Sequence, residues 1–95
     1  MSFEEFIAAA TPSAGAGPAL AALWHDAHGD WAKAHGLSQE DESAAGSWVH
    51  AYLHRREGDL ANARYWYARA GRTPPAKTVA LEAEREAIAR ELLAG

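Results

Sequence analysis

The chain has 95 residues, 48% of them apolar, with four Trp, three Tyr and two Phe, no Cys and a net charge of −4. That length suits one domain and not two, and the lack of cysteine excludes disulfides, thiolate zinc sites and cysteine nucleophiles. The start Met1-Ser2-Phe3-Glu4-Glu5 has no basic head or apolar run of a signal peptide, and no segment approaches the roughly 20 apolar residues that span a bilayer; the expectation is a cytoplasmic protein with no membrane partner.

Charge is uneven along the chain. Before residue 55, Lys33 alone opposes Glu4, Glu5, Asp26, Asp30, Glu40, Asp41 and Glu42, whereas residues 55–72 set Arg55, Arg56, Arg64, Arg69 and Arg72 against Glu57 and Asp59. This is too weak a basic stripe for a nucleic-acid binder, but it is suited to small anions or acidic peptide ends.

Ser2 and Glu5 have capping-box spacing and predict a first helix to about Ala10, with Phe3, Phe6, Ile7 and Ala10 on its apolar face. Two prolines and two glycines make 11–18 a loop. A second helix runs from Pro18 to His28 and ends at Gly29; Asp30 caps a third, from Trp31 to His35, that Gly36 stops. Ser38 and Asp41 are placed to cap a fourth, continuing through Trp48, Val49, Tyr52 and Leu53 to Glu57, with Gly58 as its end. Asp59 then caps a fifth, Leu60 to Ala70, closed by Gly71. After Pro74-Pro75 a last helix runs from Thr78 to Leu93, with Glu82–Arg85 and Glu86–Arg90 as surface pairs. No strand pattern is present.

Residues 23–34 repeat as residues 52–63. In both, a helix ends at Gly, an Asp caps the next helix, and a large apolar residue and an Ala follow at fixed offsets. Gly accepts the left-handed turn, Asp satisfies free amides, and the small Ala lets two helices approach. The second unit resembles a tetratricopeptide repeat: Gly58-Asp59-Leu60, Ala63, Tyr67, Ala70 and Pro75 follow that family's pattern, while His54 stands where an aromatic is usual. The stretch from Trp48 to Asp59, with Asn62-Ala63, Tyr65-Trp66-Tyr67 and Arg69-Ala70-Gly71, is also similar to a family of small microbial proteins with no known activity. These resemblances imply an all-α fold of antiparallel helical hairpins: an N-terminal helix and loop in 1–17, two helix-turn-helix units in 18–75, and a C-terminal helix in 76–95.

Two chemical readings follow. In the tetratricopeptide resemblance, Trp48, Tyr52, Arg55 and Arg56, with Arg69, line a concave groove that binds a protein or peptide. In the alternative, His25, His28, His50, His54 and Glu57, spaced by helical turns, converge on a metal such as zinc. No HExxH motif, phosphate loop or nucleophile elbow is present, so no catalytic set and no resident cofactor are predicted. Tyr65 and Trp66 add apolar faces to the fifth helix that suggest a homodimer contact, and Asn62 is expected to bond nearby backbone.

Overall fold

The computed structural model describes residues 1–13 and 15–95; Ala14, inside the expected loop at 11–18, lies outside the described residues. Six helices follow in order: α1 (Phe3–Ala8), α2 (Gly17–Ala27), α3 (Trp31–Gln39), α4 (Ala44–Glu57), α5 (Leu60–Ala70) and α6 (Leu81–Ala94). No strand occurs among the described residues. The fold is all-α, with α2–α3 and α4–α5 as two antiparallel hairpins that form the most extensive helix pairings.

The two bends are built alike. Gly29 and Gly58 take φ of +87° and +89°, in the left-handed region that a side chain disfavours. The next amide turns back onto the helix: Asp30 N–H donates to the His25 carbonyl at 2.9 Å, and Asp59 N–H to the His54 carbonyl at 3.0 Å. Each Asp then caps the following helix, accepting from the amide of Lys33 at 3.1 Å and of Asn62 at 3.2 Å. The α1 capping box is also present, with Glu5 N–H donating to Ser2 Oγ at 3.1 Å and Ser2 N–H to Glu5 Oε1 at 3.0 Å.

The first helix ends at Ala8, short of Ala10, and three further boundaries differ from expectation. The third helix does not stop at Gly36 but runs on to Gln39; Gly36 has no positive φ, and its missing side chain costs propensity without forcing a break. The fourth helix is capped by Ser43, not by Ser38 or Asp41. Ser38 is buried and bonds the His35 carbonyl, while Asp41 accepts the Ser43 amide at 2.9 Å and so shapes the turn before the helix. The last helix begins at Leu81 rather than Thr78; the Val79 carbonyl just before it accepts from the part-buried Arg55 guanidinium instead of a helical amide.

The main core joins Phe6 of α1, Leu20, Leu23 and Trp24 of α2, Val49, Tyr52 and Leu53 of α4, and Ile88 of α6. A smaller cluster of Ala51, Ala63 and Tyr67 seals α4 against α5. The two small alanines there allow the close approach that the repeat pattern requires.

Two carboxylates are buried within this frame. Asp26 is held by Arg56 Nε at 3.1 Å, Arg85 Nη1 at 3.2 Å and the Tyr52 hydroxyl, which donates to it. Glu84 accepts from Arg55 Nη1 at 2.9 Å and from the Tyr67 hydroxyl. Burial, and next the bond to the carboxylate, push both tyrosine hydroxyls far above their ordinary pKa. Arg85, expected as a surface partner of Glu82, therefore serves the interior instead, because α6 lays this face on α2 and α4; Arg90–Glu86 is a surface pair as expected, at 2.8 Å.

Two tests follow from this packing. A Cβ on Gly46 would sit 1.9 Å from the Asp41 carbonyl oxygen, whereas one on Gly36 would meet nothing within 4 Å. Gly46→Ala is expected to destabilise by about 3 kcal/mol, and Gly36→Ala to stabilise by about 0.5–1 kcal/mol, both read by urea unfolding. Asp26→Ala strands the partly buried Arg85 and Arg56 guanidinium groups and the Tyr52 hydroxyl and should cost about 3 kcal/mol. Glu91→Ala removes only the exposed Arg72–Glu91 pair and should cost at most about 1 kcal/mol; equal losses from the two would refute the structural weight given to Asp26.

Candidate functional site

Three imidazoles meet where α3 crosses α4. His50 and His54 lie one turn apart on α4, and their rings stack with centroids 4.7 Å apart. His35 comes from α3, with its Nε2 3.0 Å from His50 Nε2. One ligating nitrogen from each of the three lies within 4.8 Å of those from the other two. The crossing is fixed by Trp31, which stacks on His35 at 4.8 Å and donates its indole N–H to the Leu53 carbonyl at 2.9 Å. Trp31 follows the Asp30 cap, so the local bend signal sets where His35 arrives.

The outer partners are polar. His54 Nδ1 is 2.6 Å from Glu57 Oε1, and the Asn62 amide nitrogen is 3.3 Å from His54 Nε2. A donating Nδ1–H toward Glu57 leaves Nε2 as the acceptor for Asn62. Asn62 thus serves a histidine ring, not the nearby backbone that its position near the cap suggested. His50 is 4% exposed, covered by the Trp66 ring at 4.1 Å. Burial, then the neighbouring His54 and His35, push its pKa down to about 4; His35 is lowered by the same leading cause. His50 is therefore neutral near pH 7.

Beside this cluster lies a cleft of about 550 Å³ lined by Ser38, Gln39, Asp41, Glu42, Ser47, His50, Trp66 and Arg69. His50 belongs to both: its ring closes one side of the cluster and one wall of the cleft.

The histidines expected to converge divide into two places. His50, His54 and Glu57 lie together as the spacing suggested, but His25 and His28 do not join them. His28 stacks on Trp24 at 3.9 Å and donates Nε2–H to the Ile7 carbonyl at 3.0 Å, pinning α1 to α2, and His25 packs edge-on to the same indole. The first hairpin turns this face toward α1, whereas α4 turns the equivalent face toward α3 and α5. His35 takes the missing place. Its signal was the four-residue step from Trp31 within the expected third helix, which by itself does not say that this face meets His50.

The expected groove is likewise dispersed. Tyr52 is fully buried on Asp26, Arg55 is bound to Glu84 and Arg56 to Asp26. Trp48 packs against both core clusters, and the Arg72 guanidinium lies 3.8 Å from its ring centroid. Of the five groove residues, Arg69 alone lines the cleft. Trp66 is committed to His50, which leaves Tyr65 as the exposed aromatic of α5. Among the described residues no helix is long and apolar enough to cross a membrane.

Comparison with protein-family models, with curated proteins and with solved structures gives no match for this chain.

The depressed His50 pKa has a definite sign. Between pH 6.5 and about 4 the unfolded chain binds a proton at His50 that the folded chain refuses, so stability falls as pH drops through that window. The groups facing His50 are His35, His54 and Trp66, with Asp41 and Glu42 across the cleft. Chelator-treated protein should lose on the order of 3 kcal/mol there, measured by urea unfolding at stepped pH. His50→Gln should flatten this slope; an unchanged slope would count against a buried neutral His50.

Proposed function

We propose that the protein binds one divalent transition-metal ion of the zinc class through His35, His50 and His54. The observation that carries this reading is the convergence of three ligating ring nitrogens within 4.8 Å of one another in a chain with no cysteine. Zinc–nitrogen bonds of about 2.0–2.1 Å set two nitrogens of a tetrahedral site roughly 3.3 Å apart. The His35 and His50 Nε2 atoms, at 3.0 Å, need to open by only a few tenths of an ångström. Glu57 on His54 Nδ1 orients that ring so that Nε2 is its ligating atom, as carboxylates do behind metal-bound histidines. The Asn62 contact on Nε2, at 3.3 Å, is long and yields readily to an ion.

Burial favours the same outcome. Imidazole binds a metal only when neutral, and His35 and His50 both have pKa values lowered by burial, so protons do not compete near pH 7. An all-imidazole set suits zinc, copper, nickel or cobalt rather than calcium or magnesium. A fourth, water-filled position completes the shell.

Untagged, chelator-treated protein should bind one zinc ion per chain by calorimetry. At a hundredfold excess over Kd it should gain about 2.7 kcal/mol of stability, and cobalt should produce the visible absorption of a tetrahedral complex. His35→Gln and His54→Gln should each abolish these signals, while His25→Gln and His28→Gln retain them. No thermal shift with zinc and a colourless cobalt sample would end this reading.

A further inference from the structure

We infer that the cleft between the α3–α4 turn and α5 binds a small zwitterion, a free α-amino acid, with its carboxylate on Arg69 and its ammonium group on Glu42 and Asp41. This goes beyond the metal reading and does not rest on it.

The cleft volume of about 550 Å³ falls among those of small-molecule sites. Its lining carries charges of both signs, with no ion pair between them. Arg55, Arg56, Arg72, Arg85 and Arg90 each hold a carboxylate; Arg64 and Arg69 make no ion pair among the described residues, and of these two Arg69 lines the cleft. Its guanidinium is positioned over the Trp66 and Tyr65 rings, 5.3 and 5.9 Å from their centroids, and only Nη1 is engaged, donating to the Tyr65 hydroxyl at 3.1 Å. The planar fork keeps further N–H groups for a carboxylate. Also in the lining, Glu42 is exposed and has no side-chain partner among the described residues, and Asp41 uses only Oδ1, on Ser43.

Ser47 also lines the cleft, and its hydroxyl is available there to a polar ligand. Trp66 also lines the cleft, and its indole N–H, like that of Trp48, donates to no acceptor among the described residues.

The charge arrangement selects the ligand class. A simple anion on Arg69 meets Asp41 and Glu42, and a simple cation beside those acids meets Arg69. A molecule carrying both charges close together satisfies both signs. A polypeptide terminus carries only one of them, which is why the occupant is a free amino acid, and the volume leaves room for a large side chain.

The test screens the twenty L-amino acids at low-millimolar concentration by thermal shift on chelator-treated protein. The strongest is then titrated by calorimetry beside its decarboxylated amine and its deaminated acid. The amino acid should bind at least about tenfold more tightly than either analogue. Arg69→Gln should weaken the amino acid and the acid but spare the amine; Glu42→Gln should weaken the amino acid and the amine but spare the acid. Both positions are exposed, so folding is preserved, and circular dichroism checks it. Ser47→Ala should weaken the amino acid without lowering the melting temperature of the free protein. Binding should persist in His54→Gln, so loss of the metal reading leaves this one standing, and the reverse. If no amino acid binds, or if either analogue alone binds as tightly as the amino acid, the inference is overturned.

Discussion

Asp26 is removed from water by two arginines and a tyrosine, and the placement of the remaining polar residues follows from that. A carboxylate at 1% exposure is stable only with charge and hydrogen bonds on its oxygens. Those partners come from α4 and α6, so the ion cluster pulls the C-terminal helix across both hairpins. Glu84 does the same in the other direction, drawing Arg55 of α4 and Tyr67 of α5 onto α6. The result commits Tyr52, Arg55 and Arg56 to structure. Chemistry is left to the opposite flank of α4, where His50 and His54 meet α3 and α5.

This commitment explains why Tyr52, Arg55 and Arg56 do not share one open surface while the fold is all-α as expected. The bends at Gly29-Asp30 and Gly58-Asp59 are local events: a left-handed residue, a returning amide and a side-chain cap within a few positions of one another. Such signals survive in sequence because they need no distant partner. Where two local signals compete, the reading weakens. Gly36 reads as a stop but lies inside a helix, and Ser38, Asp41 and Ser43 all have cap chemistry, so only packing selects Ser43.

The face of α4 was harder to read for a different reason. From Gly46 to His54 every residue but Trp48 is buried, the polar ones included. A central helix covered on all sides has no solvent stripe, so periodicity cannot separate groove from core. The four-residue step from His50 to His54 survived as a site signal because it lies on one helix. His35 did not, because its place depends on how α3 crosses α4. His25 aligns with His54 by repeat and plays the same backbone part, its carbonyl accepting the next Asp amide, yet its ring faces Trp24. Repetition of a bend does not repeat the surroundings of the side chains beside it.

His50 joins the two halves of the polar flank. Its Nε2 points to His35, and its ring is one wall of the cleft beside Trp66 and Ser47. An ion held at Nε2 fixes that ring and adds positive charge behind it, and a ligand seated against the ring restrains the same torsions from the other side. If both proposals hold, each event would lower the ordering cost of the other, and such coupling is reciprocal by thermodynamic necessity. Under both proposals the coupling would run through the His50 side chain alone, so it would need no movement of the helices. Their positions are already set by the buried carboxylates on the far flank of α4.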